Sequence, residues 1–264
     1  MRLRPLAGAL LAGAYLARVG MRERRLEPRP RHAAWLLAAG AVLFAGGYAI
    51  FLATKNAMNT PSGIGNRVAI AAAVGVALGW AGVAWGLATL ARSQRGRAAA
   101  FAVMIAGLFG AAVFVNVSLA RFWADAYRAE RAVLAEIRRL IPAHPGPISL
   151  LLDGVCPYVG PAIVFESNWD LAGALAVVYG PPMMRADVVT PYLTVGDTAV
   201  TTSIYHGDIT AHYGYRDMVL VDVARGRRVP LADAAAARRH FAAFNPDRSG
   251  GCPPGAAGQG VAVF

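Results

Sequence analysis

Residues 98–120 read AAAFAVMIAGLFGAAVFVNVSLA, and the chain runs on through 121–141 as RFWADAYRAERAVLAEIRRLI. An uncharged stretch, followed with no Pro or Gly by a charged segment of helical spacing, decides how the rest is read. A bilayer core about 30 Å thick needs about 20 helical residues, and 98–120 supplies them. A helix that is apolar all round for that length reads as a membrane span. Behind it, Trp123 and Tyr127 sit where an aromatic belt would lie. Tyr127, Val133, Leu134, Ile137 and Leu140 then make an apolar stripe, with Glu130 and Arg131 opening the polar face. Pro142, Pro145 and Pro147 stop the helix. The expectation is a span continuing into an amphipathic stalk over 122–141 on the outer surface.

Two more uncharged stretches of similar length precede it, 33–54 and 68–91. Segment 5–17, between Arg4 and Arg18, is shorter. At about 1.5 Å per residue it falls short of a bilayer. Three readings stay open for it: a signal peptide with small residues near Ala14 or Ala17, a tilted helix with snorkelling arginines, or the trailing end of a longer membrane protein. The strongly basic residues that follow disfavour export at this point. Composition agrees with a membrane chain: 56% of residues are apolar, 16% are charged and the mean hydropathy is +0.44. Soluble domains carry about 25% charged residues, and a disordered chain is far less apolar. The expected fold is a membrane α-helical bundle with three clear spans, and a fourth if 5–17 crosses, followed by a small α+β extracytoplasmic domain. Its boundaries are 1–121 for the membrane region, 122–141 for the stalk and 142–264 for the domain.

The net charge of +11 first suggests nucleic acid. Its distribution argues against that. Residues 1–141 hold 18 Lys+Arg and 5 Asp+Glu, whereas 142–264 hold 8 and 10. Six arginines (Arg18, Arg22, Arg24, Arg25, Arg29, Arg31) precede the first clear span, and Arg92, Arg95 and Arg97 lie between the second and third. Against these nine, the opposite face has five: Lys55, Arg67, Arg121, Arg128 and Arg131. By the positive-inside tendency the richer face is cytoplasmic and the C-terminal half is outside. The expected location is a bacterial cytoplasmic membrane, with the lipid bilayer as partner and no nucleic acid. The spans lack the ionisable groups of pumps and channels. Gly75, Gly79 and Gly82 share a helix face, which reads as close helix packing.

Beyond Pro147 the period shortens. Segments 148–153, 162–166, 186–189, 192–195, 200–205 and 218–223 read as strands, and 170–179 and 231–244 as helices capped by Asp170 and Asp233. Cys156 and Cys252 both fall here, and an extracytoplasmic setting permits a disulfide between them. No spacing supports a metal site, and no cofactor motif is present. Asp153 and Glu166 end strands, where α/β folds place reactive groups and where turns also need such residues. Trp169 and Asp170 together could hold a sugar by stacking and hydrogen bonding, or serve as a core aromatic and a cap. These four are the candidate ligand-binding residues; a catalytic set is not identifiable. His206, Asp208 and His212 lie in what reads as a polar loop.

Residues 151–179 (LLDGVCPYVGPAIVFESNWDLAGALAVVY), GIGNR at 63–67 and GGCPPG at 250–255 resemble the C-terminal region of bacterial multi-span membrane proteins. Many of these are uncharacterised, and some are glycosyltransferase-like and use lipid-linked sugars. The likeness covers about residues 30–264. It implies a polyprenyl-linked sugar or a partner membrane subunit as the thing contacted. In such enzymes the catalytic carboxylate sits in the first large outer loop. Here the outer loop 55–67 contains no Asp or Glu, so no catalytic residue carries over. Two readings follow: a non-catalytic component or C-terminal part of such a system, or a self-standing membrane-anchored binding or structural protein.

Overall fold

The computed structural model describes residues 29–52, 67–143, 146, 148–190, 192–205 and 208–242, with single positions at 11, 14, 15 and 18. Five α-helices are described: α1 (Pro30–Leu52), α2 (Arg67–Ala88), α3 (Gln94–Leu140), α4 (Asn168–Tyr179) and α5 (Ala234–Phe241). The chain divides after Arg121 into two compact units.

In the first unit α1 and α2 lie antiparallel because glycines let their backbones touch. A Cβ on Gly40 would come 2.8 Å from the Gly75 carbonyl oxygen and from the Gly79 nitrogen. A Cβ on Gly75 would meet Phe44 N, and the Gly40 carbonyl oxygen at 2.6 Å. Near the start of α1, Ala33 faces Gly82 and Gly86. These approaches are closer than any larger side chain permits, so the packing expected of the small residues is present. Outward surfaces are strongly apolar: Trp35 is 75% exposed, Val42 71% and Val103 64%. A soluble core helix would hide such residues.

Among the described residues two helices are long and apolar enough to cross a membrane, Pro30–Ala49 and Gln94–Leu140. The expectation of three clear spans is therefore corrected. The uncharged run 68–91 forms the 22-residue α2, Arg67–Ala88, and turns before the run ends. Helix α2 closes at Ala88, where Thr89 Oγ1 donates to the Gly86 carbonyl at 2.6 Å and the next residues turn. The described apolar part, Ala72–Ala88, is too short to qualify. Of the 5–17 segment only Leu11, Ala14 and Tyr15 are described, all helical, so its span lies outside the described residues.

Helix α3 runs unbroken for 47 residues, as its sequence implied. Its second half is not a free stalk. Ala126, Val133, Ile137 and Ile141 are buried within the second unit, against Leu150, Leu152, Leu171 and Leu175. That apolar stripe has a sheet and a helix to cover, which periodicity alone could not disclose.

The second unit is built on a four-stranded mixed sheet. Strand β1 (Ser149–Asp153) is central and parallel to both β4 (Arg185–Val188) and β8 (Met218–Asp222), and β9 (Arg227–Val229) is antiparallel to β8. The expected α+β domain is thus corrected to a mixed α/β unit. The run SLLLD carries the reason. Leu150 and Leu152 face α3 and α4, while Leu151 packs on the other side with Val200, Tyr213, Leu220 and Phe241. A strand buried on both faces reads as a continuous apolar run and suits a parallel sheet covered twice. The second cover is a three-stranded sheet, β5 (Thr194–Val195), β6 (Ala199–Tyr205) and β7 (Asp208–Gly214), together with α5. A short hairpin, β2 (Tyr158–Val159) and β3 (Ala162–Ile163), intervenes before α4. Two local corrections accompany this. The 162–166 strand shrinks to Ala162–Ile163. The polar loop expected around Asp208 and His212 is strand β7, in which exposed His212 alternates with buried Tyr213. Residue His206 lies outside the described residues.

Candidate functional site

Sheet order β4-β1-β8-β9 means that the chain leaves β1 towards β4 on one side and returns at β8 on the other. Between β1 and β8 lies a topological switch point, where open α/β sheets form a crevice at the carboxyl ends of their strands. The last residues of both strands are aspartates in register, Asp153 opposite Asp222. Each strand places its carboxylate at this edge because its apolar run ends there.

Asp153 Oδ1 accepts from Gly154 N at 2.7 Å, and Oδ2 lies 2.8 Å from His240 Nε2. Both side chains are mostly buried, 15% and 11% exposed. Gly154 has φ +76, and a Cβ there would come 2.9 Å from the Ala224 Cβ, so glycine lets the two strand ends turn side by side. His240 comes from α5, whose N-cap is Asp233 as expected; its Oδ1 accepts from Ala236 N at 2.7 Å. Asp222 is buried and braces the β8–β9 turn, accepting from Arg225 N at 3.0 Å and from the Arg225 guanidinium at 2.9 Å. The Asp222 hydrogen bond and charge, with a smaller contribution from Asp153, raise the Arg225 pKa. Arg227 Nε stands 3.6 Å from Asp222. The edge thus offers an imidazole fixed by a carboxylate, with two guanidiniums beside a second carboxylate. Such a set can grip a polar ligand or move a proton at His240.

The other sequence candidates follow β1 on its way to α4. Glu166 is buried and accepts from the Tyr158 hydroxyl at 2.5 Å. Asp170 is not the cap expected of it. Ser167 holds the N-cap position, and Asp170, three residues on, reaches back to accept from Glu166 N at 3.3 Å. Trp169 is 45% exposed, so it is not a core aromatic. Ser167 Oγ and Asn168 Oδ1 are buried with no hydrogen-bond partner among the described residues. Glu130, on α3, has its carboxyl pKa raised by burial and by the charge of Asp170. Among the described residues no group of three or more His, Cys, Asp or Glu could hold a metal ion.

The structure therefore joins Asp153 to Asp222 and His240, and Glu166 to Tyr158 and Asp170. Asp222 does leave a signal in the sequence: MVLVD at 218–222 mirrors SLLLD at 149–153, two apolar strands each ending in Asp. No local pattern marks His240. A further buried group lies outside the sequence candidates. Asp187 on β4 accepts from Val188 N at 2.8 Å, from the Tyr213 hydroxyl at 3.1 Å and from Thr202. Its pKa is raised by burial against the opposing effect of these donors, and Tyr213 is pushed up by burial and by the Asp187 charge. With both acceptor oxygens engaged inside the core, Asp187 reads as a structural tie between β4 and the β6–β7 hairpin. Cys156 lies in the loop after β1, with Sγ 3.1 Å from the Tyr158 carbonyl oxygen. Cys252 lies outside the described residues. The chain matches no family model, no curated protein and no solved structure.

Proposed function

We propose that this chain is a membrane-anchored binding protein, whose α/β unit takes a polar, hydroxyl-bearing ligand at the carboxyl edge of β1 and β8. The observation that carries the reading is the switch point itself, with Asp153, Asp222 and His240 drawn from three elements onto one strand edge. The exposed Trp169 indole supports it. It belongs to the N-terminus of α4, which the connection from β1 to a parallel β4 brings to the same edge of the sheet. An exposed indole suits the apolar face of a sugar. The two apolar helices supply the anchor, and α2, antiparallel along α1, brings the chain back to the end where α1 begins before α3 leaves it. The arginine balance favours the α1 N-terminal side in the cytoplasm of a bacterial cell and the α/β unit across the cytoplasmic membrane. The glycosyltransferase-like reading rests on the resemblance alone, and no observation of the structure favours it over this one.

The test has two arms. Full-length chain should stay in the membrane pellet after alkaline extraction; release into the supernatant would overturn the anchor. In detergent, Trp169 fluorescence should respond saturably to methyl glycosides or sugar phosphates, and the response should be lost in W169A and weakened in D153N. No saturable change with any probe would overturn the binding reading.

A further inference from the structure

The antiparallel packing of α1 on α2 has a consequence at one end of the pair. Ala33 faces Gly82 and Gly86, and His32 meets Trp85 ring-to-ring at 6.0 Å. Trp85 in turn meets Phe101 of α3 at 4.9 Å. The beginning of α1, the end of α2 and the beginning of α3 therefore share one end of the first unit. Arg29 and Arg31 lie just before and at the start of α1, Arg92 in the turn after α2, and Arg95 and Arg97 in the first turn of α3. The two groups are far apart in sequence. Arg97 also has a local task, since its Nε donates to the Ala91 carbonyl at 2.9 Å and holds the turn. Arg29, Arg31, Arg92 and Arg95 are exposed. No Asp or Glu occurs from residue 28 to residue 124, and the nearest, Glu27, precedes Arg29 by two positions.

We propose that the end of the first unit where Arg29, Arg31, Arg92, Arg95 and Arg97 meet is a binding site for the phosphate headgroups of anionic phospholipid. Guanidiniums match phosphate oxygens in paired hydrogen bonds. The charges stand immediately beyond apolar helix ends, at headgroup depth, where basic clusters attract anionic lipid. The exposed Trp35 indole, one helical turn and more beyond Arg31, provides apolar contact for the acyl chain below such a headgroup. The proposal rests on the membrane anchor proposed above, but not on the α/β unit's ligand. It goes beyond orientation, because a charge bias that only sets topology needs no preference among lipids.

Trp35 is a built-in reporter. The full chain with its other four tryptophans changed to Phe is placed in bilayers of phosphatidylcholine and phosphatidylglycerol, one of the two carrying brominated acyl chains that quench indole on contact. The expected result is stronger quenching by brominated phosphatidylglycerol at equal mole fraction, a preference on the order of tenfold. R92Q/R95Q should bring that preference towards one, while R121Q, which removes a charge elsewhere on α3, should leave it. Raising salt to about 1 M, where the screening length is about 3 Å, should weaken it. Equal quenching by the two lipids, or equal losses in R92Q/R95Q and R121Q, would overturn the lipid site and leave the anchor standing. No quenching by either lipid would overturn both.

Discussion

Replacing Ile137 by Ala separates a docked helix from a free stalk, because the two arrangements predict opposite signs. On an exposed stalk the change removes a β-branched residue from a helix and puts in the best helix former, a gain of a few tenths of a kcal/mol. In the structure Ile137 is fully buried, in the cluster formed by Leu150, Leu152, Leu171 and Val221. Cutting an Ile back to Ala in such a site costs about 2–5 kcal/mol, from lost burial together with the cavity left behind. At about 1.4 kcal/mol per decade this corresponds to a roughly 30-fold to few-thousandfold rise in the population of the open unit. Hydrogen exchange of the β1 peptide, residues 149–153, in the detergent-solubilised full chain reads that population directly, provided exchange follows the opening equilibrium. Exchange should accelerate by that factor in I137A. Y127A, at a side chain 57% exposed on the same helix, should change it by less than about threefold. Unchanged or slower exchange in I137A would refute the docking of α3 on the sheet.

Further outcomes follow from the same packing. A chain beginning at residue 122 should fold cooperatively, whereas one beginning at 142 should not, since it lacks Ala126, Val133 and Ile137 of the core; circular dichroism melts of both decide this. G75A should lower the thermal midpoint of the full chain in detergent, at a cost of about 1–3 kcal/mol from overpacking against Phe44 and Gly40. G79A, where an added Cβ meets nothing within 4 Å, should hold or slightly raise the midpoint, since Ala is the better helix former. Burial raises the Asp187 carboxyl pKa, so the folded chain holds that proton more tightly than the unfolded one. Its contribution is thus largest below the ordinary carboxylate pKa of about 3.9 and falls as pH rises through the folded value. The stability of the native chain relative to D187N should decline over that rise, and a relative increase would contradict the burial. Finally, we propose a Cys156–Cys252 disulfide: thiol titration of denatured, unreduced protein should find no free thiol, and two would exclude the bond.

Much of the secondary structure was legible, because its determinants are local. The uncharged runs 33–54 and 98–120 set apolar helices, the absence of Pro and Gly from 120 to 141 set the length of α3, and Asp233 set the start of α5. Hydropathy and capping act within one or two turns, so a single chain segment contains the information. In the third uncharged run the last three residues, 89–91, turn instead of continuing α2, because absence of charge does not distinguish a helix from the turn after it. Asp153 was legible as a strand end, whereas Glu166 lies three residues past the strand expected to end at it, and what each one meets was not legible.

Tertiary structure decided the rest. Whether SLLLD pairs parallel or antiparallel, and with which strands, depends on partners as remote as Arg185–Val188 and Met218–Asp222. The same holds for the apolar stripe of 122–141, which fits water, lipid or a core equally until a sheet is placed against it. His240 reaches Asp153 across 87 positions, and the start of α1 comes beside the end of α2 because glycines let the two helices close. What each segment can bury, and where it must turn, is written in its own residues. Which buried surfaces and which charges come together is settled by packing, since non-local contacts are set by the fit of whole faces and leave no periodic mark on either segment alone.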